Sequence, residues 1–216
     1  MVSDTMYSIT QNEWKILLAL SGEKQIYGLF FEEEKMTERE LLRTIYGMTK
    51  KGMVEMRQQE FVVLGVYKQL VEQVKRASFG ISMCKKDNGQ EEEMFWYIGE
   101  TVVLMSQEVY KKNCFCVYTL SVDELFLVLE EEWMPCYQTK ERNGEPKVLE
   151  EERAYLEREL RRGLLMRKFL PDGKEIQWMF QGEWKGKDWI FYEKEKMWCR
   201  PYTKQEFLRM VRNFIT

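Results

Sequence analysis

Three glutamate runs hold the densest potential chemistry in this sequence: Glu91-Glu92-Glu93, Glu130-Glu131-Glu132 and Glu150-Glu151-Glu152. Carboxylates hold a hard cation or move a proton only where the fold converges them, and neighbours in a run do not converge unless the backbone bends sharply. These runs read instead as a hairpin turn and two helix ends. The Gly-Lys pairs Gly173-Lys174 and Gly186-Lys187 lack the upstream glycine spacing and the following Ser or Thr of a phosphate-binding loop, and both fall at hairpin turns. Cys114 and Cys116 would share one strand face as reduced, buried thiols, and no CxxC pair occurs among the five cysteines. Most decisive is that the 216 residues include no histidine, the commonest general base and metal ligand. The expectation is therefore no catalytic, cofactor-binding or metal-binding residue, and no enzyme.

With 33 basic and 36 acidic side chains, the net charge of −3 exerts no general pull on nucleic acid or anionic lipid. A composition of 44% hydrophobic and 14% aromatic residues indicates a globular chain with a real core. The N-terminal apolar run, Ile16 to Leu20, is too short for a signal core or a membrane span. With the unpaired cysteine count, this points to the cytoplasm.

The elements that must position these residues are marked by four capping boxes, a Ser or Thr answered by Glu three residues on: Thr10–Glu13, Thr37–Glu40, Ser121–Glu124 and Thr203–Glu206. Trp14, Leu17 and Leu18 follow the first with helical spacing up to Gly22, and Leu41, Leu42, Ile45 and Met48 follow the second up to Gly52. Phe61, Leu64, Tyr67, Leu70, Val71 and Val74 give a third helical stripe to about Arg76. From Phe79 the period changes to that of strands: FGISMCKK, MFWYI, TVVLMSQ and CFCVYTL form an antiparallel meander closed by the helix from Ser121. A linker with Pro135, Pro146 and an Asn-Gly follows. A helix is then expected from near Pro146 to a stop at Gly163, and after it LLMRKFL, KEIQWMFQGEW, DWIFYEK, MWCRPY and a last capped helix.

CFCVYTLSVDELFLVLEEE thus returns as MWCRPYTKQEFLRMVRNFI, with Ser121 on Thr203, Glu124 on Glu206, and Leu125, Phe126, Val128 and Leu129 on Phe207, Leu208, Met210 and Val211. The fold class expected is α+β: an antiparallel sheet of two repeated helix–strand-meander–helix modules with pseudo-twofold symmetry, preceded by a small winged-helix-like helical unit. The division reads as 1–76 (helical unit), 77–132 (first meander and helix), 133–147 (linker) and 148–216 (second module), packed as one domain. The tryptophans Trp96, Trp178, Trp184, Trp189 and Trp198 fall in strands, mostly as core, with an exposed aromatic face left open.

TERELLRTIYGMTKKGMVEMRQQEFVV resembles a winged helix in which a helix leads to a Gly-hydrophobic-Val turn and a small wing. In a transcription regulator Arg39, Arg43, Lys50 and Lys51 would face the major groove, with the C-terminal repeat as sensor or dimerisation module. Glu38, Glu40 and the acidic FFEEEKM argue against that use and for a shape that only packs.

The layout as a whole resembles the cytoplasmic chaperones of type VII (ESX) secretion with the EspG-type fold: a hydrophobic first helix, the step Gly52-Met53-Val54, a long helix into strands, the turn Gly99-Glu100-Thr101-Val102-Val103-Leu104, then TLSVDELFLVL, and a second half ending in RPYTKQEFLRMVRNFI. The chain departs from actinobacterial members in lacking Ala- and Arg-rich composition, and its Lys, Glu, Met and Ile usage suggests a Firmicute-like source. The resemblance implies a non-enzymatic protein that binds a secreted helical protein or protein pair, with no cofactor, no membrane and no nucleic acid; a homodimer is left open. From position and exposure, the contact points expected are Lys86, Asp87, Asn88, Glu91, Glu92 and Glu93 on one hairpin and Tyr110 and Lys111 on a neighbouring loop.

Overall fold

The continuous apolar runs Met94–Ile98 and Val102–Met105 are what strands covered on both faces require, and a three-layer arrangement follows from them. The computed structural model describes residues 6–22, 36–87, 89–108, 111, 113–133, 144–159 and 162–216. In chain order, β1 (Tyr7–Thr10) leads into α1 (Gln11–Leu20); α2 (Glu38–Lys50), β2 (Val54–Arg57), β3 (Glu60–Val63) and α3 (Gly65–Lys75) follow. The first meander is β4 (Phe79–Asp87), β5 (Gln90–Ile98), β6 (Val102–Gln107) and β7 (Cys114–Leu120), succeeded by α4 (Val122–Val128) and one π turn over Leu129–Trp133. β8 (Lys147–Val148) and α5 (Arg153–Glu159) precede the second meander, β9 (Arg162–Phe169), β10 (Glu175–Trp184), β11 (Lys187–Glu193) and β12 (Met197–Pro201), and α6 (Lys204–Ile215) closes the chain.

Ten of these strands form one antiparallel sheet in the order β1-β7-β6-β5-β4-β9-β10-β11-β12-β8, while β2 and β3 pair separately. Outward from the central β4–β9 pair, each side carries its meander strands in sequence and ends on a short strand that precedes a helix. One sheet face, with Met83, Trp96, Leu104, Met166, Met179 and Ile190, packs under Leu125 and Leu129 of the α4 region and Phe207, Val211 and Phe214 of α6. The opposite face is covered in its first half by α1 and α3, around Trp14, Leu17, Leu70, Phe95 and Tyr97, and in its second half by α5, whose Leu156 meets Trp178, Phe180 and Phe191. No described helix is long and apolar enough to cross a membrane.

The caps at Thr10, Thr37 and Ser121 are complete capping boxes. At Thr203 only half forms: its hydroxyl accepts from the Glu206 N–H at 3.2 Å, but the Glu206 carboxylate is held by Arg200 and Arg209. Three expectations change. Phe61 lies in β3, because Gln58 and Gln59 both take positive φ and turn the chain back as a hairpin; the helix begins only at Gly65. The helix expected from Pro146 starts at Arg153, because Val148 pairs with Trp198 and the Leu149 N–H donates to the Met197 carbonyl, which fixes this stretch along β12. Gly163 ends no helix. It sits inside β9 opposite Gly182, at φ +146, where a Cβ would come within 2.0 Å of the Gln181 carbonyl oxygen and 2.8 Å of the Phe180 ring. The ring of Phe180 thus covers the glycine pair.

α5, only seven residues long, is tied down by ions. Glu157 accepts from Arg153 at 2.7 Å, Arg167 at 3.1 Å and the indole N–H of buried Trp178 at 2.8 Å, while Arg153 also holds Glu175. Burial pushes the Glu157 carboxyl up, but these partners outweigh it and hold it below the ordinary glutamate range.

Gly163→Ala is expected to cost about 3 kcal/mol or more, since backbone strain and overpacking add at one site; urea unfolding checks this, and a midpoint unchanged from the parent contradicts it. Glu157→Gln is expected to cost about 1–3 kcal/mol at pH 7 by leaving the part-buried Arg153 and Arg167 and the buried Trp178 indole poorly matched. Because the folded carboxyl titrates below the unfolded value of about 4.3, the parent's advantage is full above that pH and is lost below it, as pH falls through the folded value. Urea midpoints of both proteins from pH 3 to 7 measure that convergence.

Candidate partner-binding surface

The tip joining β4 to β5 and the connection from β6 to β7 lie at the same end of the sheet, since β4 and β6 run parallel with β5 between them. Lys86, Asp87, Glu91, Glu92, Glu93 and Lys111 therefore share one ledge; Asn88 and Tyr110 lie outside the described residues. Strand register divides the set. Lys86 and Cys84 pair with Glu91 and Glu93 on one face, and Lys85 with Glu92 on the other. Most of the ledge's charge is paired internally: Lys86 reaches Glu91 at 3.2 Å, Lys85 reaches Glu92 at 3.8 Å, Arg162 donates to Asp87 at 3.0 Å, and Lys111 meets Glu108 at 2.9 Å, which leaves Glu93, opposite Cys84, as one acid in excess. The hydrogen bond from Lys111 holds the Glu108 carboxyl below its usual range. Exposed pairs of this kind contribute about 0–1 kcal/mol each, so a partner displaces them at little cost but gains no net field from them.

Cys84, Glu91 and Glu93 bring ligand atoms within 4.8 Å of one another, the one described cluster of metal-ligand types. Its chemistry is weak. Burial first, then the charges of Glu91 and Glu93, push the Cys84 thiol up to about 11, whereas metals and electrophiles take the thiolate. The Lys86 ammonium already supplies a positive charge to Glu91. Among the described residues the four cysteines Cys84, Cys114, Cys116 and Cys199 are free thiols, with Cys114 and Cys116 half-buried.

A second surface lies on α2, the helix that the regulator alternative would set in a DNA groove. Leu41, Leu42, Ile45 and Met48 follow helical spacing along α2, yet only Met48 of the four is buried, while Leu41 is 37% and Leu42 62% exposed. At 100° per residue the apolar positions Met48, Leu41, Ile45, Leu42 and Tyr46 span an arc of about 160°, wider than the core-facing stripe of an ordinary surface helix, with Glu38 and Thr49 at the two ends of α2 the polar residues inside it. The core uses one edge of that arc. Leu42 and Tyr46, one turn apart, hold the other, and Tyr46 is 63% exposed. Next around the helix come Arg39, Lys50 and Arg43, all exposed, with the Lys50 ammonium 4.6 Å from the Tyr46 ring centroid. Lys51, grouped with them from the sequence, points elsewhere: its ammonium lies 2.6 Å from the buried Glu13 carboxylate and ties α2 to α1. The signal that marks this surface in the sequence is the arc width itself.

The tryptophans form no open aromatic face among the described residues. Trp96 and Trp178 are core, Trp184, Trp189 and Trp198 are half-buried, and the Lys185 ammonium covers the Trp184 ring at 3.9 Å.

No protein-family model and no curated protein sequence matches the chain. Among solved structures the fold is similar to that of the Mycobacterium tuberculosis type VII secretion system chaperone EspG5, determined in complex with the PE25–PPE41 dimer. The TM-score is 0.61 at 11% sequence identity, over 96% of this chain and 95% of that one. An α+β fold with a large antiparallel sheet is therefore shared with an EspG-type chaperone.

Proposed function

We propose that this chain is a non-enzymatic, cytoplasmic chaperone or adaptor for a secreted helical protein or protein pair of a type VII-like secretion system. The observation that carries this reading is the likeness in fold, over nearly the full length of both chains, to a chaperone solved with its dimeric partner bound. The surface chemistry is compatible with it. Both faces of the sheet are spent on the chain's own helices, and what faces outward is a ledge of mostly paired charges and an apolar helix arc. Such a protein holds the apolar end of a helical partner by burying it under a polar rim, and keeps it soluble until export.

The duplication read from the sequence belongs to this proposal. The strand order runs outward from β4 and β9 in matching sequence, and Leu125 and Leu129 enter the same core cluster as their counterparts Phe207 and Val211. In this reading α2, β2, β3 and α3 are an insertion in the first copy, and the winged-helix likeness is one of shape.

Affinity capture of the tagged full chain from its native cytosol, followed by mass spectrometry, is expected to recover small helical secreted proteins in stoichiometric amount and in moderate salt. Recovery of DNA alone, lost as salt rises, sinks the chaperone reading in favour of a regulator acting through α2.

A further inference from the structure

α2 presents an apolar strip with a basic border on one side and nothing of the described core against it. Leu42 and Tyr46 stand one helical turn apart at 62% and 63% exposure, Leu41 adds its outer edge, and Met56 on the neighbouring hairpin is 63% exposed. Exposed large apolar groups grouped on one helix cost solubility, so a grouping of this kind marks an interaction surface more often than an accident. Arg39, Arg43 and Lys50 line the strip along a single side, Arg43 one turn and Lys50 three turns beyond Arg39. The two acids of α2, Glu38 and Glu40, are confined to the first turn, where the Glu40 carboxylate accepts from the Thr37 N–H at 2.8 Å and caps the helix.

We propose that this face of α2 docks an amphipathic helix whose apolar stripe is edged by Asp or Glu. The apolar stripe would seat on Leu42 and Tyr46, and the acidic edge would meet Arg39, Arg43 and Lys50. Charge selects the occupant: a stripe edged by Lys or Arg would set like charges against three exposed cations, which suppresses the wrong partner. Duplex DNA fits less well. A groove-reading helix offers polar side chains to base edges, whereas here the centre of the surface is leucine and tyrosine, and Lys51 is already engaged by Glu13. The inference rests on the chaperone reading for its biological setting, since it names a chemistry for the bound helix, but the surface itself stands on the geometry of α2.

The test uses fluorescence anisotropy on the full chain with a labelled synthetic helix of about 18 residues, long enough to be helical when bound. It carries leucines at helical spacing and glutamate edges, and its twin carries lysine edges. The glutamate peptide is expected to bind at least about tenfold more tightly than the lysine twin, a difference of about 1.4 kcal/mol. Leu42→Asp with Tyr46→Asp should abolish that binding. Arg39→Glu with Arg43→Glu should invert the preference between peptides. Circular dichroism confirms that each variant folds, which exposed positions allow. Equal binding of the twins, or binding untouched by the aspartate substitutions, overturns the proposal, as does a DNA duplex of about 20 base pairs that displaces the glutamate peptide. The two readings fail separately. Capture of helical secreted proteins that survives Leu42→Asp with Tyr46→Asp removes this site and leaves the chaperone; peptide binding without any captured secreted protein removes the chaperone and leaves the site.

Discussion

Everything in this molecule hangs on one strand pair. Gly80 through Asp87 of β4 lie against Phe169 back through Arg162 of β9, and this ladder alone turns two meanders into a single ten-stranded sheet. Without it each meander would end on a long unpaired strand, the arrangement that invites edge-to-edge aggregation. The pair is built to be covered on both sides. Met83 and Met166 oppose each other, fully buried, beneath the α4 and α6 layer. On the other face Phe169 enters the cluster under α1 and α3, while its strand neighbour Leu165 enters the one under α5. At the rim Arg162 closes onto Asp87. The true edges are left to β1 and β8, four and two residues long, which is how natural sheets blunt them.

That central seam fixes what remains for function. Covering both faces of the sheet consumes α1, α3, α4, α5 and α6. α2 alone is held mainly by its end, through Met48 in the core and the Lys51–Glu13 ion pair just beyond it, so most of its apolar arc faces outward. The hairpin ledge, by contrast, has all of its cross-strand charges but Glu93 already matched. The most distinctive outward chemistry thus sits in the segment between β1 and β4, outside the paired meanders.

Much of the fold was legible in residue order. The shift in period at Phe79 located the first meander, because strands buried on two faces leave long unbroken apolar runs such as Met94–Ile98, but Glu91–Glu93, expected in the hairpin turn, lie in β5, where cross-strand pairing with Cys84–Lys86 extends the strand back to Gln90. The capping boxes located four helix starts, because a Ser or Thr hydroxyl and a Glu carboxylate act locally. What sequence could not show was decided at a distance. Gly163 looks like a helix stop until Gly182 and the Phe180 ring are set against it. Val148 and Leu149 look helical until the free edge of β12 offers them hydrogen bonds. Gln58-Gln59 carries none of the usual Asn-Gly signal for its turn. The surface was harder still. Which ledge charges pair depends on cross-strand register, and the exposure of Leu42 depends on which part of α2 the core claims.

Hydrogen exchange of the full chain, read by mass spectrometry, tests the dependence on the β4–β9 seam most directly. Amides of Gly80–Asp87 and Arg162–Phe169 should exchange together and slowest, opening only with global unfolding, while α2 exchanges far sooner. Fast exchange at the seam, with the two meanders opening at separate denaturant concentrations, would contradict a single sheet organised around that pair.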